Sequence, residues 1–169
     1  MLRVISGGTR CPPGGGRAWF PERALHLIDI ENLAGAGKPS LDQIRGVQGI
    51  YAGHLTFGAL DQFVVASSRL TLLNAARGWP KARYRARSGP NGADLELLDV
   101  LWHEDVDTRF TRVMIGSGDG AFTPAAASLT TAGVHVTVVS WRGSLSSRLA
   151  LAASEVVYLD APPSEPVAA

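Results

Sequence analysis

The sequence predicts an open α/β fold in three layers, α/β/α, with a mainly parallel sheet covered by helices on both faces. Short apolar runs rich in β-branched residues alternate with longer stretches of helical character, and such runs read as strands buried on both faces. Strand and helix in alternation imply right-handed crossovers, which build parallel sheets. Length sets the scale: 169 residues with 46% hydrophobic and 18% charged content suffice for one buried core and are too few for two ordinary domains.

In chain order, residues 1–23 form a leader rich in Gly, Pro and Arg around Cys11-Pro12-Pro13-Gly14-Gly15-Gly16-Arg17. That composition has little to bury and is expected to be flexible. The tail, 161–169, reads the same way, which leaves one folded body over residues 24–160. Within it, strands are predicted at 25–30, 62–66, 113–115, 134–139 and 156–159, and helices at 41–55, 69–78, 94–103, 122–132 and 144–153. Residues 81–87 make a strand of a different kind. Lys81-Ala82-Arg83-Tyr84-Arg85-Ala86-Arg87 alternates strictly, so Arg83, Arg85 and Arg87 share one face. Three arginines on one face suit a sheet edge, where charge also discourages strand addition.

Composition excludes several classes of function. Sixteen Lys and Arg against 15 Asp and Glu give a net charge of +1, so the chain is not a wholly basic nucleic-acid binder. One cysteine allows neither an internal disulfide nor a Cys-rich zinc site. No segment approaches the ~18 uninterrupted apolar residues of a membrane span. These features predict a cytoplasmic protein with no membrane partner, and the apolar content leaves room for a homodimer. His26, His54, His103 and His135 each have apolar neighbours on at least one side and read as ordinary core-edge or surface residues. No Ser-His-Asp or Cys-His arrangement stands out.

Open parallel sheets collect ligands at the carboxyl ends of their strands. Three aspartates are predicted there. Leu27-Ile28-Asp29-Ile30-Glu31-Asn32 places Asp29 at the end of a central strand, Gly89-Pro90-Asn91-Gly92-Ala93-Asp94 opens a helix with Asp94, and Gly116-Ser117-Gly118-Asp119-Gly120 sets Asp119 at a strand-to-helix turn. Asp94 and Asp119 also suit helix caps, whereas Asp29 follows an apolar run, where an unpaired carboxylate is costly. Carboxylates gathered on one rim repel one another and raise each other's pKa, and a divalent cation holds them ionised together. Oxygen ligands without His or Cys select Mg²⁺ or Mn²⁺, the machinery of phosphodiester cleavage.

Charge is distributed unevenly. Residues 69–87 hold Arg69, Arg77, Lys81, Arg83, Arg85 and Arg87 with no acid, and residues 92–107 hold Asp94, Glu96, Asp99, Glu104, Asp105 and Asp107 with no base. A basic track beside an acidic centre suits a polyanion. The loop 116–121 also fits the loose G-x-G-x-x-[G/A] pattern, which leaves a small-nucleotide binder as a third reading. Its Asp119 would oppose a pyrophosphate.

The three segments together resemble the NYN domains of the PIN-like ribonuclease superfamily. Asp29 to Asn32 is similar to that family's D-x-x-N opening, Gly92 to Asp99 to its G-x-D-x-x-x-x-D helix start, and Ser117 to Pro124 to its S-G-D-x-D-F-x-P loop. The resemblance covers about residues 25–160. It implies a PIN-like, Rossmann-like topology and a metal-dependent ribonuclease site of acidic residues; with the oxygen ligands and the basic track, the expectation is a Mg²⁺- or Mn²⁺-dependent endoribonuclease acting on single-stranded RNA. It implies Asp29, Asp94 and Asp119 as metal ligands, with Asn32 in the catalytic set and Ser117 orienting water or phosphate. Arg83, Arg85 and Arg87 would guide the RNA. Asp99 matches the motif, but its place five residues into the helix turns it from Asp94, so a structural role is the alternative. At one position the chain departs from the pattern: the second acid of the loop is Ala121 here. That opens the alternative of a catalytically weak or inactive module that binds RNA.

Overall fold

The computed structural model describes residues 23–160. Except for Arg23, the flexible leader and tail expected at the two ends lie outside the described residues. Six strands, β1 (Ala24–Asp29), β2 (Gln62–Ser67), β3 (Arg83–Ala86), β4 (Arg112–Gly116), β5 (His135–Ser140) and β6 (Glu155–Tyr158), form one sheet in the order β3-β2-β1-β4-β5-β6. Every neighbouring pair is parallel, with Leu27 of β1 opposite both Val64 of β2 and Ile115 of β4. Between the strands run α1 (Ile30–Ala34), α2 (Leu41–His54), α3 (Leu72–Gly78), α4 (Gly92–His103), α5 (Val106–Arg109), α6 (Thr123–Thr131) and α7 (Ser147–Ala152).

The two-residue period of the strands sorts their side chains into two cores. Leu25, Leu27, Val64, Val113, Ile115 and Val136 face one side and pack on Leu97 and Val100 of α4, Ala126 and Leu129 of α6 and Leu149 of α7. Ile28, Val65 and Val139 face the other, against Leu33, Ile44, Tyr51, Ala75 and Trp79. The result is a three-layer α/β/α fold of Rossmann-like form, as the alternating pattern predicts. No helix among the described residues is long and apolar enough to cross a membrane.

Most element boundaries shift by one to three residues from the sequence reading, and two of these shifts concern the aspartates. Strand β1 stops at Asp29, one residue early, because the Asp29 carboxylate accepts the Asn32 N–H at 3.2 Å and caps α1. Helix α4 begins at Gly92, two residues early, after Asn91 turns the chain at φ +56°. A Cβ on Gly92 would lie 2.3 Å from the Arg87 carbonyl oxygen, so only glycine lets the helix start beneath that loop. Asp94 is therefore not a cap. It lies in the first turn of α4 with its carboxylate free for other contacts.

The basic strand β3 is an edge, as expected. Its arginines face the acids of α4. Arg83 pairs with Glu104 at 2.9 Å, Arg85 with Glu96 at 2.7 Å and also with Asp99 and Glu104, and Arg87 with Glu96 at 3.8 Å. Much of the opposed charge of residues 69–87 and 92–107 thus meets across a strand–helix contact. Pairs of this kind fix the placement of α4 more than they add stability.

Candidate active site

The strand order reverses beside β1. The chain runs outward through β2 and β3, then returns to lay β4 on the other edge of β1. Loops leaving β1 and β4 diverge to opposite faces, and the crevice between them is where open α/β sheets bind ligands. A pocket of about 200 Å³ lies there, lined by Asp29, Glu31, Asn32, Asn91, Asp94 and Asp119 among others. The three aspartates selected from the sequence, separated by up to 90 residues, line one pocket.

A chain of hydrogen bonds holds the pocket floor. The Ser117 hydroxyl donates to Asp29 Oδ2 at 3.2 Å and accepts the Asp119 N–H at 3.2 Å. Asn32 Oδ1 accepts the Gly118 N–H at 3.0 Å, which ties the β4 loop to α1. Asp119 Oδ1 accepts the Ala121 N–H at 2.8 Å, and Glu31 accepts the Ser68 N–H at 2.7 Å. Asn32 and Ser117 thereby hold the backbone and carboxylate geometry of the site.

Asp29 and Asp94 are 4% and 7% exposed and hydrogen-bond each other. Two buried carboxylates in contact share a proton. Burial is the main cause that pushes Asp29 up, to about 8, with the Asp94 hydrogen bond and charge adding to it; the Asn32 and Ser117 donors pull the other way. Burial also raises Asp94, and the charges of Asp119 and Glu31 reinforce the rise. The Asp94 oxygen Oδ1 is buried with no hydrogen-bond partner. An orphaned carboxylate oxygen costs roughly 1–3 kcal/mol, so its presence at a pocket marks a place for a ligand.

These oxygens suit a hard cation. Among the described residues no three His, Cys, Asp or Glu side chains are gathered closely enough to hold an ion, since Asp119 is turned onto its own loop. Mg²⁺, however, keeps several waters and is commonly held by one or two carboxylates plus substrate phosphate. The Asp29–Asp94 pair, with one oxygen unpartnered, fits that requirement.

No protein-family model matches the chain, and no curated protein matches it. Among solved structures it is similar to a protein of unknown function from Vibrio parahaemolyticus, at 15% identity and a TM-score of 0.55, over 86% of this chain and 97% of that one. At that identity the likeness shows the fold alone.

Several residues singled out from the sequence lie elsewhere. Arg83 and Arg85 stand on the α4 ion pairs, while Arg87, at the end of β3, is the most exposed of the three. Asp99 pairs with Arg85 and His103, away from the pocket. Ala121 is exposed. Glu31 and Asn91 line the pocket although no motif reading selected them; their places beside Asp29 and Asp94 were the available signal.

His26 is likewise not a core-edge residue. It is fully buried in β1, with Nδ1 at 2.9 Å from the Tyr51 hydroxyl, Nε2 at 3.4 Å from Asp61, and its ring stacked on Phe63 at 4.3 Å. Burial pushes it down to about 4, against the pull of Asp61. Its place inside the continuous apolar run of β1 was the signal for that burial.

Gly118 is where the site is packed most tightly. A Cβ there would meet the Ser144 carbonyl oxygen at 2.2 Å and Ser140 Oγ at 2.6 Å, and the same loop is fixed by the Ser146 N–H on the Gly118 carbonyl at 2.9 Å. Gly118→Ala is expected to destabilise the protein by about 1–3 kcal/mol, read as a lower denaturant midpoint. A midpoint equal to that of the wild type would show that the 143–146 loop yields freely.

Proposed function

We propose that this protein is a Mg²⁺- or Mn²⁺-dependent endoribonuclease that cuts single-stranded RNA at the β1/β4 pocket. The buried Asp29–Asp94 pair, with Asp94 Oδ1 lacking any partner, carries this reading. The likeness of the three aspartate segments to NYN domains supports RNA as the substrate. Asp29 and Asp94 would hold the cation, and Asp119 would join them directly or through water after its side chain leaves the Ala121 N–H. When bound, the cation supplies an activated water and neutralises charge on the phosphate. Ser117 orients Asp29, and Asn32 fixes the backbone at Gly118 so that the loop carrying Asp119 keeps its distance. Arg87, at the pocket side of β3, is the member of its strand best placed to meet a phosphate. A single cysteine suits a cytoplasmic setting for this activity.

A second reading is supported by Ala121, which leaves the β4 loop one carboxylate short of the family pattern. On that reading the protein binds RNA without cutting it. Incubating labelled single-stranded RNA with the protein in Mn²⁺, Mg²⁺ and EDTA separates the two. Cleavage that needs the cation supports the nuclease; RNA retained intact in Mn²⁺ by a folded protein moves the conclusion to the binding module.

A further inference from the structure

Resting on the reading above, we infer that single-stranded RNA crosses the carboxyl edge of the sheet at right angles to the strands, gripped by Arg69 on one side of the acidic pocket and by Arg142 and Arg148 on the other. Glu31, Asp29, Asp94 and Asp119 surround the pocket, and their field repels a phosphodiester. Cations must hold the chain from outside the pocket. The β3 arginines pair with acids of α4 and with Glu104 just after it, whereas the exposed side chains of Arg69, Arg142 and Arg148 are in no ion pair among the described residues; the Asp160 carboxylate near Arg142 accepts its backbone N–H at 3.2 Å.

Their placement follows from topology. Arg69 comes two residues after β2 ends, Arg142 two residues after β5 ends, and Arg148 lies in the first turn of α7. Strands β1 and β4, which carry Asp29 and Asp119 on their outgoing loops, lie between β2 and β5. Three strand spacings separate β2 from β5, about 14 Å, so a short run of nucleotides reaches from one cation group to the other over the pocket. Hydrogen bonds hold both flanks to the site: the Ser68 N–H on Glu31, the Ser146 N–H on the Gly118 carbonyl and the Trp141 indole N–H on the Leu33 carbonyl at 2.7 Å. The Arg142 guanidinium lies over the Tyr158 ring, 4.1 Å from its centroid, a contact that leaves its charge unneutralised. Next to Arg69, Leu70 is 76% exposed and offers an apolar surface to an unstacked base.

Binding without cutting isolates this surface. The anisotropy of a fluorescein-labelled twelve-nucleotide RNA, titrated in EDTA at several salt concentrations, is measured for the wild type, for the triple variant Arg69→Gln/Arg142→Gln/Arg148→Gln, and for Arg77→Gln, an exposed arginine at the far end of α3. Thermal melts verify that each variant is folded. The triple variant is expected to bind at least about tenfold more weakly, with a salt slope shallower by about 0.7 per cation removed, while Arg77→Gln matches the wild type. Triple-variant binding within twofold of wild type, equal weakening by Arg77→Gln, or no RNA binding by the wild type overturns the inference. Binding that depends on the three arginines in a protein that never cuts in Mn²⁺ keeps this track and removes the nuclease; cutting with the triple variant's affinity unchanged does the reverse.

Discussion

Asp29→Asn is expected to melt at a higher temperature than the wild type at pH 8 while losing metal-dependent RNA cleavage by at least about a hundredfold. On the proposed function the loss follows from removing a carboxylate that would hold the cation, a contribution of several kcal/mol at the transition state. The gain follows from proton linkage. Asp29 is held near 8 in the folded protein and titrates near 4 when unfolded. Between those values the folded state binds the extra proton, so stability is full below pH 4 and falls as pH rises toward 8, by up to about 1.4 kcal/mol per pH unit. Asparagine keeps the Asn32 contact, offers Asp94 an N–H in place of the shared proton and removes the titration. Urea unfolding of both proteins at pH 6.5, 7.25 and 8 tests this: the wild type should lose stability along the series more steeply than the variant, which keeps only Asp94 raised. Parallel curves would mean that Asp29 and Asp94 share no proton.

Acid should act through a different residue. His26 titrates near 4 in the fold and near 6.5 when unfolded. Its folded value is depressed, so the unfolded state binds the extra proton between these limits and stability falls as pH drops from 6.5 to 4. The full drop amounts to about 3 kcal/mol. Over the same range the Asp29–Asp94 pair works in the opposite sense, so the effect is measured best in the Asp29→Asn background. There, adding His26→Gln should flatten the acid limb. An acid limb of the same depth with and without His26 would assign it to other groups.

The sequence carried the architecture because the strands are buried on both faces and so read as continuous apolar runs. Even β3 was legible, through the strict alternation of Arg83, Arg85 and Arg87, and its edge position followed from charge. Helices α1 and α5 escaped because five and four residues are too few to display a period. At the site, the positions of Asp29, Asp94 and Asp119 on one rim followed from strand ends alone. What they do to one another did not. Whether Asp94 caps α4 or turns toward Asp29 depends on Gly92 fitting beneath the Arg87 carbonyl, a contact between segments. The opposed charges of residues 69–87 and 92–107 were visible, yet their mutual pairing depends on β3 and α4 lying side by side. Local composition cannot report that.

The central position of β1 has a consequence for synthesis. One edge of this strand is covered by β2, but the other waits for β4, and the Ser117–Asp29 and Gly118–Asn32 bonds span 88 and 86 residues. A growing chain that has not yet delivered residues 112–119 holds Asp29 on an open, apolar strand edge with no β4 loop beside it. Such an intermediate is prone to pair with other strands and has no formed pocket. Docking of β4 and formation of the pocket are then one event, so a fragment that ends before residue 112 would expose an uncovered strand edge and carry an incomplete site.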